Sequence, residues 1–291
     1  MSFGQTEYKG SKLRLLVRKI NHVRRKKMLQ KKSRFNDFIS NIPAFVWTLL
    51  SLILAIIIWQ LISMTEHGGQ VFASPLEVLT NFFSSVKSGQ LWKHFWASLK
   101  RILMGFSLAF LCALPVSFVL GWYKVICRIV EPWIQFLKNI PPIAYIPLIV
   151  VAAGVGEESK VVVIFIACFL TMTITIFQGV KNVDTTLIKA ARVLGANDFI
   201  IFSRVVIPAS TPFILTAARL GLSSALTTLI AAEMTGASKG MGVMIQTASQ
   251  YFKMDTVLLG IVVIGVLGLC LQKVVRLLEK KATSWQDTIE G

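Results

Sequence analysis

The chain has 291 residues, 54% of them hydrophobic, and a mean hydropathy of +0.66. A soluble domain could not cover that much apolar surface, so the composition excludes an ordinary soluble enzyme and indicates a membrane protein. The net charge of +17 is concentrated at the N-terminus, where residues 1–43 carry twelve Lys and Arg against Glu7 and Asp37. Because an apolar run follows directly, this charge favours the inner face of a lipid bilayer over nucleic acid as its partner.

The basic N-terminal extension, residues 1–43, contains a helical pattern. Its apolar positions share one helical face and are surrounded by basic side chains; they are Leu13, Leu16, Val17, Ile20 and Val23. This pattern predicts an amphipathic helix on the membrane surface, with a disordered basic tail as the alternative. The basic stretch and the apolar run after it are both too long for a secretory signal.

Six apolar runs predict the membrane-spanning helices of an all-α membrane protein. About 20 helical residues cross the hydrocarbon core of a bilayer. The predicted spans are residues 44–64, 102–121, 140–155, 161–177, 213–234 and 256–271. The first span would follow the basic extension, the other five would lie in a core of residues 65–283, and residues 284–291 would be a tail. A short helix is expected near residues 76–86, before the second span.

The third predicted span is unusual because it contains Pro141, Pro142 and Pro147. A regular helix cannot run through Pro-Pro without losing backbone hydrogen bonds. Broken backbone at membrane depth is tolerated where it is buried in protein or lines a wet cavity, which makes this stretch a candidate pathway element. The alternative is a helix that begins at Pro141 or Pro142, since proline is favoured in a first helical turn.

The distribution of Lys and Arg predicts the orientation of the chain. With the N-terminus inside, the inner segments hold the basic extension, the loop between the fourth and fifth spans and the basic C-terminus. This excess follows the positive-inside rule, so both termini and the loop at 184–208 are expected in the cytoplasm. The localisation expected is a bacterial inner membrane, crossed several times.

The loop at 184–208 is patterned as a short amphipathic helix. Asp184 can accept a hydrogen bond from a free backbone N–H of the first turn. Gly195 can end the helix because glycine adopts a left-handed turn at little cost. The spacing i, i+3, i+4, i+7 places four residues on one face: Leu187, Ala190, Ala191 and Leu194. A helix this short needs a packing partner, and the alanines would let that partner approach closely.

This loop resembles the cytoplasmic loop of ABC-importer permeases, whose pattern is E-A-A, three residues, Gly, nine residues, I-x-L-P. Here Lys189-Ala190-Ala191 is followed by Gly195 and then by Val205-Val206-Ile207-Pro208. The spacing agrees at every step, while Lys189 stands where the family has an acidic residue. An ordinary amphipathic helix between two spans is the alternative.

Further stretches resemble the nitrate/sulfonate/taurine branch of binding-protein-dependent permeases, over roughly residues 70–280. They are Phe72–Leu79, Ser98–Phe106, Ile140–Leu148, Gly154–Lys160 and Ala231–Gly242. The resemblance implies a type I ABC-importer permease fold that works as a homodimer or a heterodimeric pair. It also implies two ATP-binding subunits that carry the ATP and Mg, and an extracytoplasmic substrate-binding protein.

The same resemblance assigns the coupling residues that would meet the ATP-binding subunit. They are Leu187, Lys189, Ala190, Ala191, Arg192, Leu194, Gly195 and Pro208. The chain itself contains no GxxxxGK[ST] loop to hold nucleotide phosphates, so it is expected to be no enzyme and to bind no cofactor. Its four cysteines form no CxxC pair, and we expect no metal site and no disulfide.

The residues of the transport pathway are predicted from their chemistry alone. The candidates are Lys138, Pro141, Pro142, Ser223, Ser224, Thr227 and Glu233. Glu233 borders the fifth span and could bind substrate or face water. Lys138 could attract an anion or extend to the membrane surface. The hydroxyl groups could line the pathway or bond to the carbonyls of their own helix.

The resulting prediction is the permease of an ATP-driven importer for a small anion such as a sulfonate, taurine or nitrate. Related importers for a vitamin precursor are the first alternative. An ion-coupled secondary transporter would need ionisable residues deep in its spans, and the centres of spans one, two, four, five and six carry none. A membrane scaffold would have no use for the Gly-to-Pro spacing.

Overall fold

The computed structural model describes residues 43–65, 69 and 72–282. The predicted surface helix and the predicted tail at 284–291 lie outside the described residues. The chain divides after residue 62 into two compact units. In the first unit, helix α1 (Ala44–Ser63) has 20 apolar or uncharged residues, a length of about 30 Å that matches a bilayer core.

The second unit begins with a short helix and a long one, α2 (Pro75–Lys87) and α3 (Gln90–Trp122). A capping box starts α2: Ser74 Oγ accepts from the Glu77 N–H, and Glu77 Oε2 accepts from the Ser74 N–H. This confirms the short helix predicted there. Helix α3 has 33 residues, about 50 Å, and continues through Pro115. It starts twelve residues before the predicted span because its polar first turns have buried partners.

The third crossing is broken. Helix α4 (Lys124–Lys138) is followed by a 3₁₀ turn (Pro142–Tyr145) and by α5 (Ile146–Ala153), and the two parts are bent by 95°. The single span predicted at 140–155 is therefore not a continuous helix, because α5 alone is about 12 Å long. The helical backbone breaks before the proline pair, as the first alternative predicted. A 3₁₀ turn then begins at Pro142, one of the two starting positions that the second alternative predicted.

Helix α6 (Glu157–Lys181) is the centre of the unit and packs against α3 and against α9. Between α6 and α9 lie α7 (Thr185–Val193), α8 (Asp198–Ile201) and a π-helical turn (Phe202–Val206). Four side chains of α6 are fully buried in the core: Ile164, Cys168, Met172 and Ile176.

The last helices are α9 (Ile207–Met234), α10 (Met241–Gln250) and α11 (Met254–Ala282). In the described residues five helices are long and apolar enough to cross a membrane, or six with the bent α4–α5 pair as one crossing. This confirms the all-α membrane fold. We call the end of the bundle that holds residues 182–206 the loop end, and the end that holds Arg101, Glu157 and Glu233 the far end.

Candidate coupling surface and buried ion-pair network

Helix α7 is fixed at both ends by local hydrogen bonds. At its start Asp184 Oδ1 accepts from the Thr186 N–H at 2.7 Å, which keeps the pKa of this carboxyl below its usual range and the cap charged at neutral pH. At its end Gly195 has φ +80°, and its N–H donates to the Arg192 carbonyl while the Ala196 N–H donates to the Ala191 carbonyl. This pair of bonds is a Schellman motif. Both predicted helix ends are confirmed.

The two sides of α7 have different surroundings. Ile188 and Ala191 pack against the core of the bundle. The predicted apolar face is therefore divided, because Ala191 faces inward while Leu187 is 51% and Leu194 is 86% exposed. Val193 and Phe199 add to this uncovered apolar surface, and the other exposed residues of α7 include Lys189, Ala190 and Arg192. We call Leu187, Val193, Leu194 and Phe199 the exposed apolar patch.

A largely helical connection joins this patch to the membrane-spanning part of the chain. Asn197 Oδ1 accepts from the Ile200 N–H and caps α8, from which the helical path continues through the π turn into α9. Phe202 packs edge-on against Phe118 and Trp122 of α3, with ring centroids 5.3 and 5.6 Å away. Pro208 lies in the first turn of α9, as predicted. Between α7 and α9 the only non-helical residues of the described chain are 194–197.

A second group of polar residues lies at the far end, around Glu233. This side chain is fully buried, and its carboxylate accepts three hydrogen bonds: Ser98 Oγ and Arg101 NH1 donate to Oε1 at 2.6 Å each, and the Gly242 N–H donates to Oε2 at 2.7 Å. A buried carboxylate is tolerated only when its charge and lone pairs are matched in this way.

Arg101 extends this group to the start of α6. Its Nε and NH2 donate to the two oxygens of Glu157 at 2.6 Å each, and NH1 also donates to the Lys239 carbonyl at 2.7 Å. A planar guanidinium matches a carboxylate in this two-bond geometry. The network therefore ties α3, α6, α9 and the 235–240 loop together at one point.

The 235–240 loop can approach Glu233 closely because residue 240 is a glycine. Gly240 has φ +145°, and a Cβ built on it would lie 2.3 Å from Glu233 Cδ. Next to it, the Met241 N–H donates to Ser98 Oγ at 2.8 Å. Any side chain at Gly240 would displace the carboxylate, so this residue is required by packing and by backbone conformation together.

Comparison with known proteins decides what this bundle is. Residues 105–284 match the family described as the inner membrane component of binding-protein-dependent transport systems. The chain belongs to this family. It is therefore a multi-pass inner-membrane permease, as predicted from the loop motif and the apolar runs.

Relatives of this permease support the same conclusion. A Brucella abortus (strain 2308) protein named "Probable ABC transporter permease protein" is 44% identical over 82% of this chain and 95% of its own length. The taurine transport system permease protein of Escherichia coli is 32% identical over 80% of this chain and 87% of its own length. Relatives named for aliphatic sulfonate transport and nitrate import match as well, which confirms the predicted branch.

The fold has a counterpart among solved structures. A chain of the MetNI methionine ABC transporter in an inward-facing conformation superposes with a TM-score of 0.60 and 20% identity, covering 66% of this chain and 96% of that chain. This likeness confirms the ABC-importer permease fold that the sequence predicted.

The predicted pathway residues of this permease lie in three separate places. Lys138, Pro141 and Pro142 are at the bend between α4 and α5, with Lys138 and Pro141 exposed. Glu233 lies in the buried network at the far end. The hydroxyl groups lie along the middle of α9 and donate to helix carbonyls: Ser223 to Arg219, Ser224 to Ala167 and Thr227 to Ser223 and Ser224. Their role in transport stays a prediction.

The partners of Glu233 were not predicted. Ser98 and Arg101, both in the Ser98–Phe106 stretch, bond directly to Glu233, and Glu157, in the Gly154–Lys160 stretch, bonds to Arg101. The signal that could have found them is the charge itself. An Arg at the head of the second span and an acid at the end of the fifth need partners when buried, and opposite charges are the natural choice.

Gly195 provides a matched test of the helix end in this permease. Space around it is open, so a substitution acts through backbone conformation and not through packing. We expect Gly195→Val to destabilise the left-handed turn by about 1–2 kcal/mol and to reduce receptor-stimulated ATP hydrolysis in the assembled transporter. Gly195→Asn is the control, because Asn tolerates this conformation, and it should behave nearly as the parent does. Equal losses in both variants would mean that the side chain, and not the turn, disturbs coupling.

Proposed function

We propose that this permease forms the membrane pathway of an ATP-driven importer for a small anion, with sulfonates, taurine and nitrate as the expected substrates. The exposed apolar patch on α7, α8 and the turn between them carries the proposal. It offers an uncovered docking surface at the end of a largely helical path, which is what an external motor protein requires. The substrate class is supported by the relatives named for taurine, aliphatic sulfonates and nitrate.

The proposed mechanism starts at the ATP-binding subunit. The patch would insert into a groove on that subunit, and the charged rim at Lys189 and Arg192 would remain at the edge of the contact. ATP, bound with Mg on the two partner subunits, would draw them together and carry both α7 helices along. Since α7 is held at both ends and is joined to α9 through α8 and the π-helical turn, the movement would reach the membrane and alternate the access of the pathway.

The other proposed partners follow from the geometry of such a transporter. A second permease copy would complete the pathway by two-fold symmetry. An extracytoplasmic binding protein would deliver the substrate at the far end of the bundle, while the loop end would face the cytoplasm as the basic residues predict. A vitamin precursor is the alternative cargo, since selection of the solute would reside largely in the binding protein.

Reconstitution tests this proposal. The permease is co-expressed with the ATP-binding subunit and binding protein encoded beside it, and the complex is placed in liposomes with ATP inside. We expect ATP-dependent uptake of at least one of taurine, ethanesulfonate and nitrate, and no uptake with a non-hydrolysable ATP analogue. Uptake driven by a proton or sodium gradient without ATP would refute the proposal, and ATP-driven uptake of a neutral solute alone would refute the anion class.

A further inference from the structure

Arg219 is a charged residue in the membrane-spanning part of α9 that sequence analysis did not select. It lies about 18 Å along α9 from Ile207, within a stretch apolar enough to cross a membrane. Its side chain is 38% exposed, and NH1 lies 3.4 Å from Glu279 Oε2 on α11. A charge at such a position is costly unless it serves a pathway or a partner.

Arg219 is held much more loosely than the other arginine of the bundle. Arg101 is 3% exposed and makes four hydrogen bonds of 2.6–2.7 Å. Arg219 has the ion pair at 3.4 Å and a contact from NH2 to Thr216 Oγ1 at 3.5 Å. A guanidinium carries five N–H donors, and contacts of this length engage them weakly. Arg219 therefore retains the capacity to bind an additional acceptor.

The surroundings of Arg219 are polar along one helix face. Four polar residues follow one another along α9 at intervals of three or four and so share one face: Thr216, Arg219, Ser223 and Thr227. From α11, Gln272 Nε2 donates to Ser223 Oγ at 3.2 Å. Because the charged guanidinium lies in this stripe, exposing it to lipid chains would cost more than placing it against protein or water. The hydroxyl hydrogens are directed at helix carbonyls, which leaves the guanidinium and the Gln272 amide as the donors for a ligand.

We propose that Arg219 is an anion-binding residue of the transport pathway, and that Glu279 occupies its guanidinium until a passing anion replaces the carboxylate. The ligand class is a small oxyanion, such as a sulfonate or nitrate, whose oxygens fit the planar fork of the guanidinium. The exchange keeps the charge of Arg219 balanced at every stage, which lowers the cost of a partly buried cation. This proposal rests on the proposed import of an anion.

The test separates anion binding from a purely structural ion pair between α9 and α11. Transport is measured in proteoliposomes with saturating loaded binding protein, using the anion that the parent imports among taurine, ethanesulfonate and nitrate. ATP hydrolysis is measured in the same vesicles. We expect Arg219→Gln to lower uptake about tenfold or more, the loss typical of a charge-assisted contact, while hydrolysis stays within about twofold of the parent.

Two further variants decide between the roles. Glu279→Gln removes the competitor for the guanidinium and should leave uptake equal or faster. The charge exchange Arg219→Glu with Glu279→Arg restores an ion pair between the helices but places a negative charge on α9, so uptake should remain low. Lys273→Gln, an exposed cation on α11 six residues before Glu279 and therefore on another face, is the control and should behave as the parent does.

The opposite pattern would overturn the assignment. If uptake recovered in the charge-exchanged variant and was lost in Glu279→Gln, the ion pair between Arg219 and Glu279 would serve only to join α9 to α11. Normal uptake in Arg219→Gln would remove Arg219 from the pathway while import by the parent stood unchanged. Absence of ATP-driven anion uptake in the parent would instead refute the proposed function and this inference with it.

Discussion

Replacing Arg101 by Met is expected to lower the free energy of unfolding of the permease by about 3–5 kcal/mol, the usual cost of breaking a buried ion pair by removing one partner. The reason is the environment of Glu233. This carboxylate is fully buried, and without Arg101 it would keep only the Ser98 hydroxyl and the Gly242 N–H as donors. Unfolding in a denaturing detergent titration, followed by circular dichroism, measures the loss.

Two companion variants identify the cause. Glu157→Gln removes the other acid bonded to Arg101, but that side chain is 62% exposed, so its loss should cost no more than about 1 kcal/mol. The double variant Arg101→Met with Glu233→Gln removes both charges of the buried pair and should be more stable than Arg101→Met alone. A double variant no more stable than the single one would show that packing of the arginine, and not the isolated charge, is responsible.

Replacing Leu194 by Asp is expected to weaken binding of the ATP-binding subunit about 10- to 100-fold, because a leucine buried in an interface contributes roughly 1.5–3 kcal/mol. Leu194 is 86% exposed, so the fold of the permease itself should change in stability by less than about 0.5 kcal/mol. The measurement is the affinity of the detergent-solubilised permease for the ATP-binding subunit, with thermal stability determined in parallel.

Leu194→Met is the matched control for this variant, since it retains an apolar side chain of similar volume and should bind within about threefold of the parent. Arg192→Gln tests the charged rim of the same surface. Arg192 forms only an exposed ion pair with Asp198, at 3.2 Å, and its loss should change affinity little. Unchanged binding by Leu194→Asp would place the docking surface elsewhere on the permease.

Local features were predictable because their causes lie within a few residues. The cap at Asp184, the left-handed turn at Gly195 and the short helix after Ser74 each depend on bonds between residues at most five apart. Apolar runs likewise predicted the membrane-spanning helices, because the thickness of the hydrocarbon core sets the length of an apolar helix that crosses it. The spacing from Ala190 and Ala191 to Gly195 and Pro208 then led to the family directly.

Helix boundaries were less predictable where polar residues are buried. Hydropathy placed the start of the second span at residue 102, but α3 begins at Gln90 because Ser98 and Arg101 find partners in other helices. The third predicted span, 140–155, was wrong because its apolar residues do not form one continuous helix. Apolar residues at 146–153 are too few to cross a membrane, and they are bent by 95° from the preceding amphipathic helix, α4.

Membrane class, family and the ends of α7 follow from the amino-acid order, because composition and short-range hydrogen bonding control these features. Which charges meet depends on how the helices pack. Arg101 lies 56 residues from Glu157 and 132 from Glu233, and Arg219 meets Glu279 across two helices. No local pattern encodes such pairs, since each charge becomes tolerable only when the packed bundle brings its counter-charge to it.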